Sequence, residues 1–141
     1  MAPAVSQNSL HGWRSRAIDA FALAEANIET LLRKFGLASG SDHLSSKIEK
    51  LRKVKPSSTL SESRKAKLDK LLCDLHGLLP LRNDLVHAPM QVREDGEHAV
   101  ACFANPNLRC EFSNVTREIS APRLQALAGR VTSLAKALEA E

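Results

Sequence analysis

The sequence predicts a mostly α-helical protein with four to five helices and a small antiparallel β insertion before the last helix. Apolar residues recur at helical spacing along four stretches, whereas between Met90 and Asn114 the pattern changes to a period of two. With 141 residues the chain is the size of one domain. We therefore expect a flexible N-terminus at 1–8 and a single helical domain at 9–141, with the insertion at about 90–114.

Helices are expected from each of the four stretches. The first runs from about Ser9 to Phe35, Asp42 can cap the second, and the third begins near Ser61. The last helix follows Ser120, an N-cap residue type that stands shortly before a first-turn proline.

Gly77 and Pro80 interrupt the third helix. Proline removes a backbone hydrogen bond and clashes with the preceding turn of a helix. The residues after Pro80 therefore either continue a kinked helix or form a new short helix with Pro80 in its first turn. Sequence alone leaves both possibilities open.

Two turn signals divide the β insertion. Asp95-Gly96 predicts a tight turn, and Asn105-Pro106-Asn107 predicts another one between the next two strands. We favour the register in which Cys102 lies opposite Cys110. One face of the strands would then present Val100, Cys102, Ala104, Leu108, Cys110 and Phe112.

Composition excludes several classes of protein. Hydrophobic residues make up 43% and charged residues 26%, which is typical of globular proteins. No apolar run approaches the roughly 20 residues that span a bilayer. Because the N-terminus also lacks the basic start and apolar block of a secretory signal, we expect a cytoplasmic protein without membrane association.

No metal or cofactor site is predicted. The three cysteines are scattered, which favours reduced thiols, and Cys73 with His76 lacks a second pair at metal-site spacing. The sequence also contains no phosphate-cradling glycine loop, no Ser-His-Asp constellation and no nucleotide fingerprint, so most other enzyme classes have little support.

Basic residues are concentrated between Lys47 and Lys70, a segment that we term the basic block. It has nine Lys or Arg against three Asp or Glu, whereas the whole chain has a net charge of +4. Such clustering is typical of phosphate-binding surfaces, but it also fits solvated helix faces, since aromatic residues for base stacking are missing nearby. The candidate substrate-binding residues are Lys65, Lys67, Lys70 and His76.

The segment Arg82-Asn83-Asp84-Leu85-Val86-His87, termed the motif, is the sharpest chemical feature of the chain. If the third helix ran through Pro80, Arg82 would lie in the middle of its apolar arc. One edge of that arc would present Asn83, His87 and His76. A guanidinium in an apolar arc needs an anion, which is either an internal carboxylate or a ligand.

Two explanations of the motif remain open. Arginine can hold a phosphate through two parallel hydrogen bonds, and histidine moves protons near neutral pH, so the motif suits phosphodiester chemistry. Alternatively, Arg82 pairs with Asp74 or Asp84. In that case His87 caps the end of its helix, where the helix dipole favours a cation.

The motif resembles the signature of the HEPN superfamily (higher eukaryotes and prokaryotes nucleotide-binding), in which arginine and a polar residue are followed a few positions later by histidine. The order of elements is also similar: two helices, a helix ending in the motif, an insertion and a last helix. The resemblance covers most of the chain. It implies an up-and-down helical bundle that pairs as a homodimer, with the two motif helices in one cleft.

The activity that the resemblance implies is metal-independent endoribonuclease cleavage of RNA, as in members that act as toxins or phage-defence effectors. His87 would handle the proton of the attacking ribose 2′-hydroxyl or of the leaving 5′-oxygen. Arg82 would bind the scissile phosphate, and Asn83 would orient the motif or the substrate. Besides a second copy of the chain, an antitoxin or a nucleotidyltransferase-like protein would be a partner.

The sequence departs from the family pattern at two places. Pro80 lies just upstream of the motif, and Ala88-Pro89 follows His87 where a small flexible residue, often glycine, is common. The superfamily also contains members that serve only in dimerisation or partner binding. A non-catalytic regulatory module is therefore the alternative function, and nucleic-acid binding without cleavage, through the basic block, is a third.

Overall fold

The computed structural model of the chain describes residues 7–38, 40, 42–95, 98–109 and 114–141. The predicted fold class, mostly helical with an antiparallel β insertion before the last helix, is confirmed. In chain order the elements are α1 (Gln7–Lys34), α2 (Leu44–Arg52), α3 (Glu62–Gly77), α4 (Leu79–His87), β1 (Met90–Asp95), β2 (His98–Arg109), β3 (Asn114–Ser120) and α5 (Ala121–Glu139). None of the described helices is both long and apolar enough to cross a membrane.

The chain forms two compact units. The sheet unit comprises Met1–Asp19 and Pro80–Arg130, and the helical unit comprises Ala20–Leu79 and Val131–Glu141. The boundary falls within α1 and α5 and after the first residue of α4, so each of these helices contributes to both units. The single domain expected at 9–141 stays a prediction, and the flexible N-terminus expected at 1–8 lies largely outside the described residues.

The helical unit buries the apolar faces of its helices. The third helix begins near Ser61 as predicted, and Ser61 is its N-cap, since its hydroxyl accepts a hydrogen bond from the Arg64 backbone N–H at 3.3 Å. The cap predicted for α2 is wrong, because His43 occupies the N-cap position and Asp42 pairs instead with the Lys50 ammonium. The largest fully buried side chains of this unit are Phe21, Ile28, Leu32, Ile48, Leu51, Leu68, Leu72 and Leu75.

The chain after Pro80 forms a new helix rather than the continuation of a kinked one. α3 ends at Gly77, Leu78 is its C-cap, and α4 begins at Leu79. Pro80 lies in the first turn of α4, where its missing N–H would have no helical partner in any case. The motif therefore occupies a short helix of its own.

The sheet unit contains an antiparallel sheet with β2 in the middle. Asp95 pairs with His98, so β1 and β2 reverse where the first turn is predicted, although Gly96 lies outside the described residues. The second predicted turn is wrong, because β2 continues through Pro106 to Arg109 and the third strand is β3. The register shifts within this stretch, where proline offers no N–H to the ladder.

The predicted strand register is also wrong. Cys102 pairs with Gln91 on one side and Glu118 on the other, while Cys110 and Phe112 lie outside the described residues. The buried face is the opposite one, because alternation places the bulky Phe103 together with two small apolar neighbours in the core. The buried residues of this face are Ala99, Ala101, Phe103 and Ile119.

Candidate functional site

The motif helix α4 separates its residues into a buried and an exposed face. Asp84, Leu85 and Ala88 are no more than 2% exposed. The other face presents Arg82, Asn83, Val86 and His87. Residues three and four positions apart share a side of a helix, so these four side chains form one continuous surface, which we term the motif face.

Arg82 does not occupy the core position expected from a continuous third helix. It is partly exposed, and its Nη1 donates to Asn83 Oδ1 at 3.4 Å. The break after α3 changes the rotational phase of the helix, and Asp84 takes the buried position beside Leu85. The predicted catalytic residues Arg82, Asn83 and His87 therefore lie together on the motif face.

The buried Asp84 carboxylate pairs with an arginine from another element. Arg117 of β3 contacts Asp84 Oδ2 through its Nε, and the Asp84 side chain is 3% exposed against 38% for Arg117. A buried carboxylate needs a cation or several donors, and Arg117 supplies the cation. Sequence reasoning missed Arg117, because its partner lies 33 positions away and no local pattern connects them.

Arg14 of α1 binds the C-terminal turn of α4. Its Nε and Nη2 donate to the Leu85 carbonyl at 2.9 and 2.8 Å, and Nη2 also donates to the Ala88 carbonyl at 3.1 Å. The guanidinium lies 5.8 Å from the centre of the Phe103 ring. Carbonyls at helix ends lack intrahelical donors, so such contacts stabilise the turn that contains His87. Arg14 was also not predicted from the sequence. The sequence signal for such a contact was Pro89, which has no N–H to donate to a carbonyl of the preceding turn.

Most charges of the basic block are paired within the helical unit. Lys47 is 4% exposed and binds Glu25 Oε1 at 2.9 Å and Glu29 Oε1 at 2.7 Å. Further pairs join Lys50 to Asp42, Arg52 to Glu49, Lys65 to Asp69, and both Arg64 and Lys67 to Glu141. Across the described part of the chain, Lys53, Lys55 and Lys70 make no ion pair, so six of the nine basic residues of the block are paired.

The predicted substrate-binding residues differ in accessibility. Lys65 is 6% exposed, and its ammonium is held by Asp69 and by the Arg52 carbonyl at 2.9 Å. Lys67, Lys70 and His76 are exposed on α3. These residues belong to the helical unit, whereas the motif belongs to the sheet unit. Their role with a substrate stays a prediction.

Metal-ligand geometry is not found in the part of the chain that the structure describes. No group of three or more His, Cys, Asp or Glu side chains there is arranged to hold a metal ion. Cys73 is exposed and Cys102 is half-buried, and both are free thiols.

Comparison with known proteins produced no match. No family model matches the chain, and neither does any curated protein or solved structure. The case for a function therefore depends on the residues of the motif face and on the contacts that hold α4.

Proposed function

We propose that this chain is a metal-independent endoribonuclease of the HEPN type that acts as a homodimer. The observation that supports this most directly is the composition of the motif face, where Arg82, Asn83 and His87 lie on one accessible side of α4. On the buried side of the helix, Arg117 pairs with Asp84 and Arg14 binds the carbonyls of the C-terminal turn.

The reaction requires a proton acceptor, a proton donor and a site for the phosphate. The ribose 2′-oxygen attacks the adjacent phosphorus while the bond from phosphorus to the 5′-oxygen breaks. His87 takes the 2′-hydroxyl proton or delivers one to the 5′-oxygen, and Arg82 holds the phosphate oxygens. Asn83 accepts a hydrogen bond from Arg82 and orients the guanidinium. The products have a 2′,3′-cyclic phosphate and a free 5′-hydroxyl.

Dimerisation supplies the second proton-transfer group. One motif contains one histidine, whereas the reaction uses a base on one side of the phosphate and an acid on the other. Two copies of α4 in one cleft provide both. Val86 supports such a contact, since it is 41% exposed between motif residues, where a large apolar side chain gains by burial.

A non-catalytic function would use the same surface. Val86 on the motif face also favours binding of another protein, with Arg82 and His87 at the rim of the contact.

A role as toxin or phage-defence effector, with an antitoxin or a nucleotidyltransferase-like partner, is part of the main proposal. Lys65, Lys67, Lys70 and His76 remain the proposed RNA contacts.

The test is incubation of the purified protein with total and structured RNA in EDTA. Arg82→Ala and His87→Ala should abolish cleavage while light scattering shows an unchanged oligomeric state. Arg123→Ala and His43→Ala are matched controls, because both residues are exposed and lie outside the motif. Intact RNA with the wild-type protein, together with disrupted dimers in the motif variants, would favour the non-catalytic function.

A further inference from the structure

The C-terminal turn of α4 lacks one backbone donor. The helical pattern continues past His87, since the Ala88 N–H donates to the Asp84 carbonyl at 3.0 Å. The next bond of that pattern would join the Leu85 carbonyl to residue 89, which is proline and has no N–H. Leu85 is 0% exposed, so water does not reach its carbonyl and another donor is needed.

Arg14 provides the missing donor. Its guanidinium gives two N–H groups to the Leu85 carbonyl, at 2.9 and 2.8 Å, and reaches the Ala88 carbonyl at 3.1 Å. A guanidinium is planar and has several N–H groups in fixed directions, so one side chain can serve two carbonyls at once. Contact with the ring of Phe103 adds a cation–π interaction at 5.8 Å.

We infer that Arg14 is a positioning residue for His87, with its guanidinium replacing the helical hydrogen bond that Pro89 cannot make. His87 lies between the two residues whose carbonyls Arg14 binds, so these bonds fix the turn from which the imidazole projects. The catalytic consequence rests on the proposed function, whereas the structural consequence rests only on the contacts of α4. Arg14 also explains how a motif followed by Ala88-Pro89 ends in an ordered turn.

The test is a double-mutant cycle between Arg14→Gln and Pro89→Ala in the full chain. Arg14→Gln removes the guanidinium donors, and Pro89→Ala returns an N–H to position 89. Two quantities are measured: amide hydrogen exchange along α4, and RNA cleavage in EDTA. Arg16→Gln is the matched control, because Arg16 lies one half-turn further along α1 and its guanidinium stacks on Trp13 at 4.5 Å.

We expect Arg14→Gln to speed exchange of the Val86, His87 and Ala88 amides by about ten- to a hundredfold, because hydrogen bonds from a charged donor are lost. The kcat should fall by roughly tenfold or more, since proton transfer depends on placement within about 1 Å, while KM for RNA changes little. Adding Pro89→Ala to this variant should restore most of both quantities. Arg16→Gln should change neither.

Two results would overturn the inference: unchanged exchange in Arg14→Gln, or equal acceleration with and without Pro89→Ala. If Arg14→Gln does not fold, Arg14→Lys, which keeps the charge but loses the planar donor set, replaces it in the cycle. If the wild type cuts no RNA but the exchange cycle holds, the positioning role stands and the ribonuclease proposal fails. If the wild type cuts RNA and Arg14→Gln matches it in exchange and kcat, the ribonuclease proposal stands and the positioning role of Arg14 fails.

Discussion

Arg117 of β3 contacts the carboxylate of Asp84 in α4, and this ion pair joins the last strand of the sheet to the buried side of the motif helix. The Asp84 side chain is 3% exposed, so its charge has little access to water. Removal of a cation from such a carboxylate leaves a buried charge with less compensation. The accessible motif face therefore depends on a contact that involves none of its own residues.

Replacing Arg117 by Met should destabilise the fold. We expect the free energy of unfolding to fall by about 2 kcal/mol, below the full cost of breaking a buried pair because water reaches the partly exposed guanidinium. Asp84→Asn should cost less, since it removes the buried charge together with the pair. Urea denaturation followed by circular dichroism measures both.

Arg93→Met is the matched control for Arg117→Met. Arg93 makes a cross-strand pair with Glu118 at 2.8 and 3.1 Å in the same sheet, but both side chains are about half exposed. Exposed ion pairs contribute little, so this substitution should cost less than about 1 kcal/mol. Equal losses for the two arginines would show that the burial of Asp84 has no special consequence.

The ion cluster of Lys47 with Glu25 and Glu29 should make stability depend on pH. The hydrogen bond and the charge of Lys47 lower the pKa of Glu29. Burial alone would lower the pKa of Lys47, but the hydrogen bonds and charges of Glu29 and Glu25 outweigh it, and that pKa is raised. A lowered carboxyl pKa stabilises the fold above the unfolded pKa, about 4.3, and this contribution is lost as pH falls through the folded pKa.

Glu29→Gln should therefore reduce stability at pH 7 and lose most of its effect in acid, where the wild-type carboxyl is protonated as well. The raised pKa of Lys47 has its effect at high pH. The stability that Lys47 contributes is complete below about pH 10.4 and is lost as pH rises through the pKa of Lys47 in the folded state. Urea denaturation at several pH values from 3 to 11 measures the change of stability in acid and in base. A constant difference between Glu29→Gln and wild type across the acid range would contradict the linkage.

The helices follow from the sequence because their signals are local. Apolar spacing defines α1 and α5, and the Ser61 hydroxyl that caps α3 needs only the next turn. Strand pairing joins distant residues, and a turn signal such as Asn105-Pro106-Asn107 does not show that β2 continues through it to pair with β3. The register of the sheet was therefore the part of the fold that local patterns could not determine.

The candidate site likewise contains residues that a local pattern identifies and residues that no local pattern identifies. Arg82, Asn83 and His87 were found because one short motif contains all three. Arg14 and Arg117 were missed because they bind α4 from 71 and 33 positions away. The charge of Lys65 indicates substrate binding, whereas its burial and its ion pair with Asp69 depend on packing that no local pattern shows, so its role with a substrate stays a prediction.

Asn83→Asp should impair cleavage without unfolding the chain. Asn83 is exposed, and its Oδ1 accepts from Arg82 Nη1 at 3.4 Å. A carboxylate at this position would pair with the guanidinium and repel the RNA phosphate, so we expect cleavage to fall by about tenfold or more. Asn83→Gln, which keeps an amide, is the control, and its loss should be smaller. Rates in EDTA and the midpoint of thermal unfolding separate activity from stability.

Val86→Asp should weaken the proposed homodimer. Val86 is 41% exposed on the motif face, and a charge there would have to be desolvated if two copies of α4 met. Leu23→Asp is the matched control, because Leu23 is 43% exposed but lies in the helical unit. Sedimentation at several concentrations should show dissociation for Val86→Asp alone, together with loss of RNA cleavage at concentrations where the wild type is dimeric. Dimers that survive Val86→Asp but dissociate with Leu23→Asp would assign the interface to α1, and the proton donor and acceptor would then have to come from a single motif.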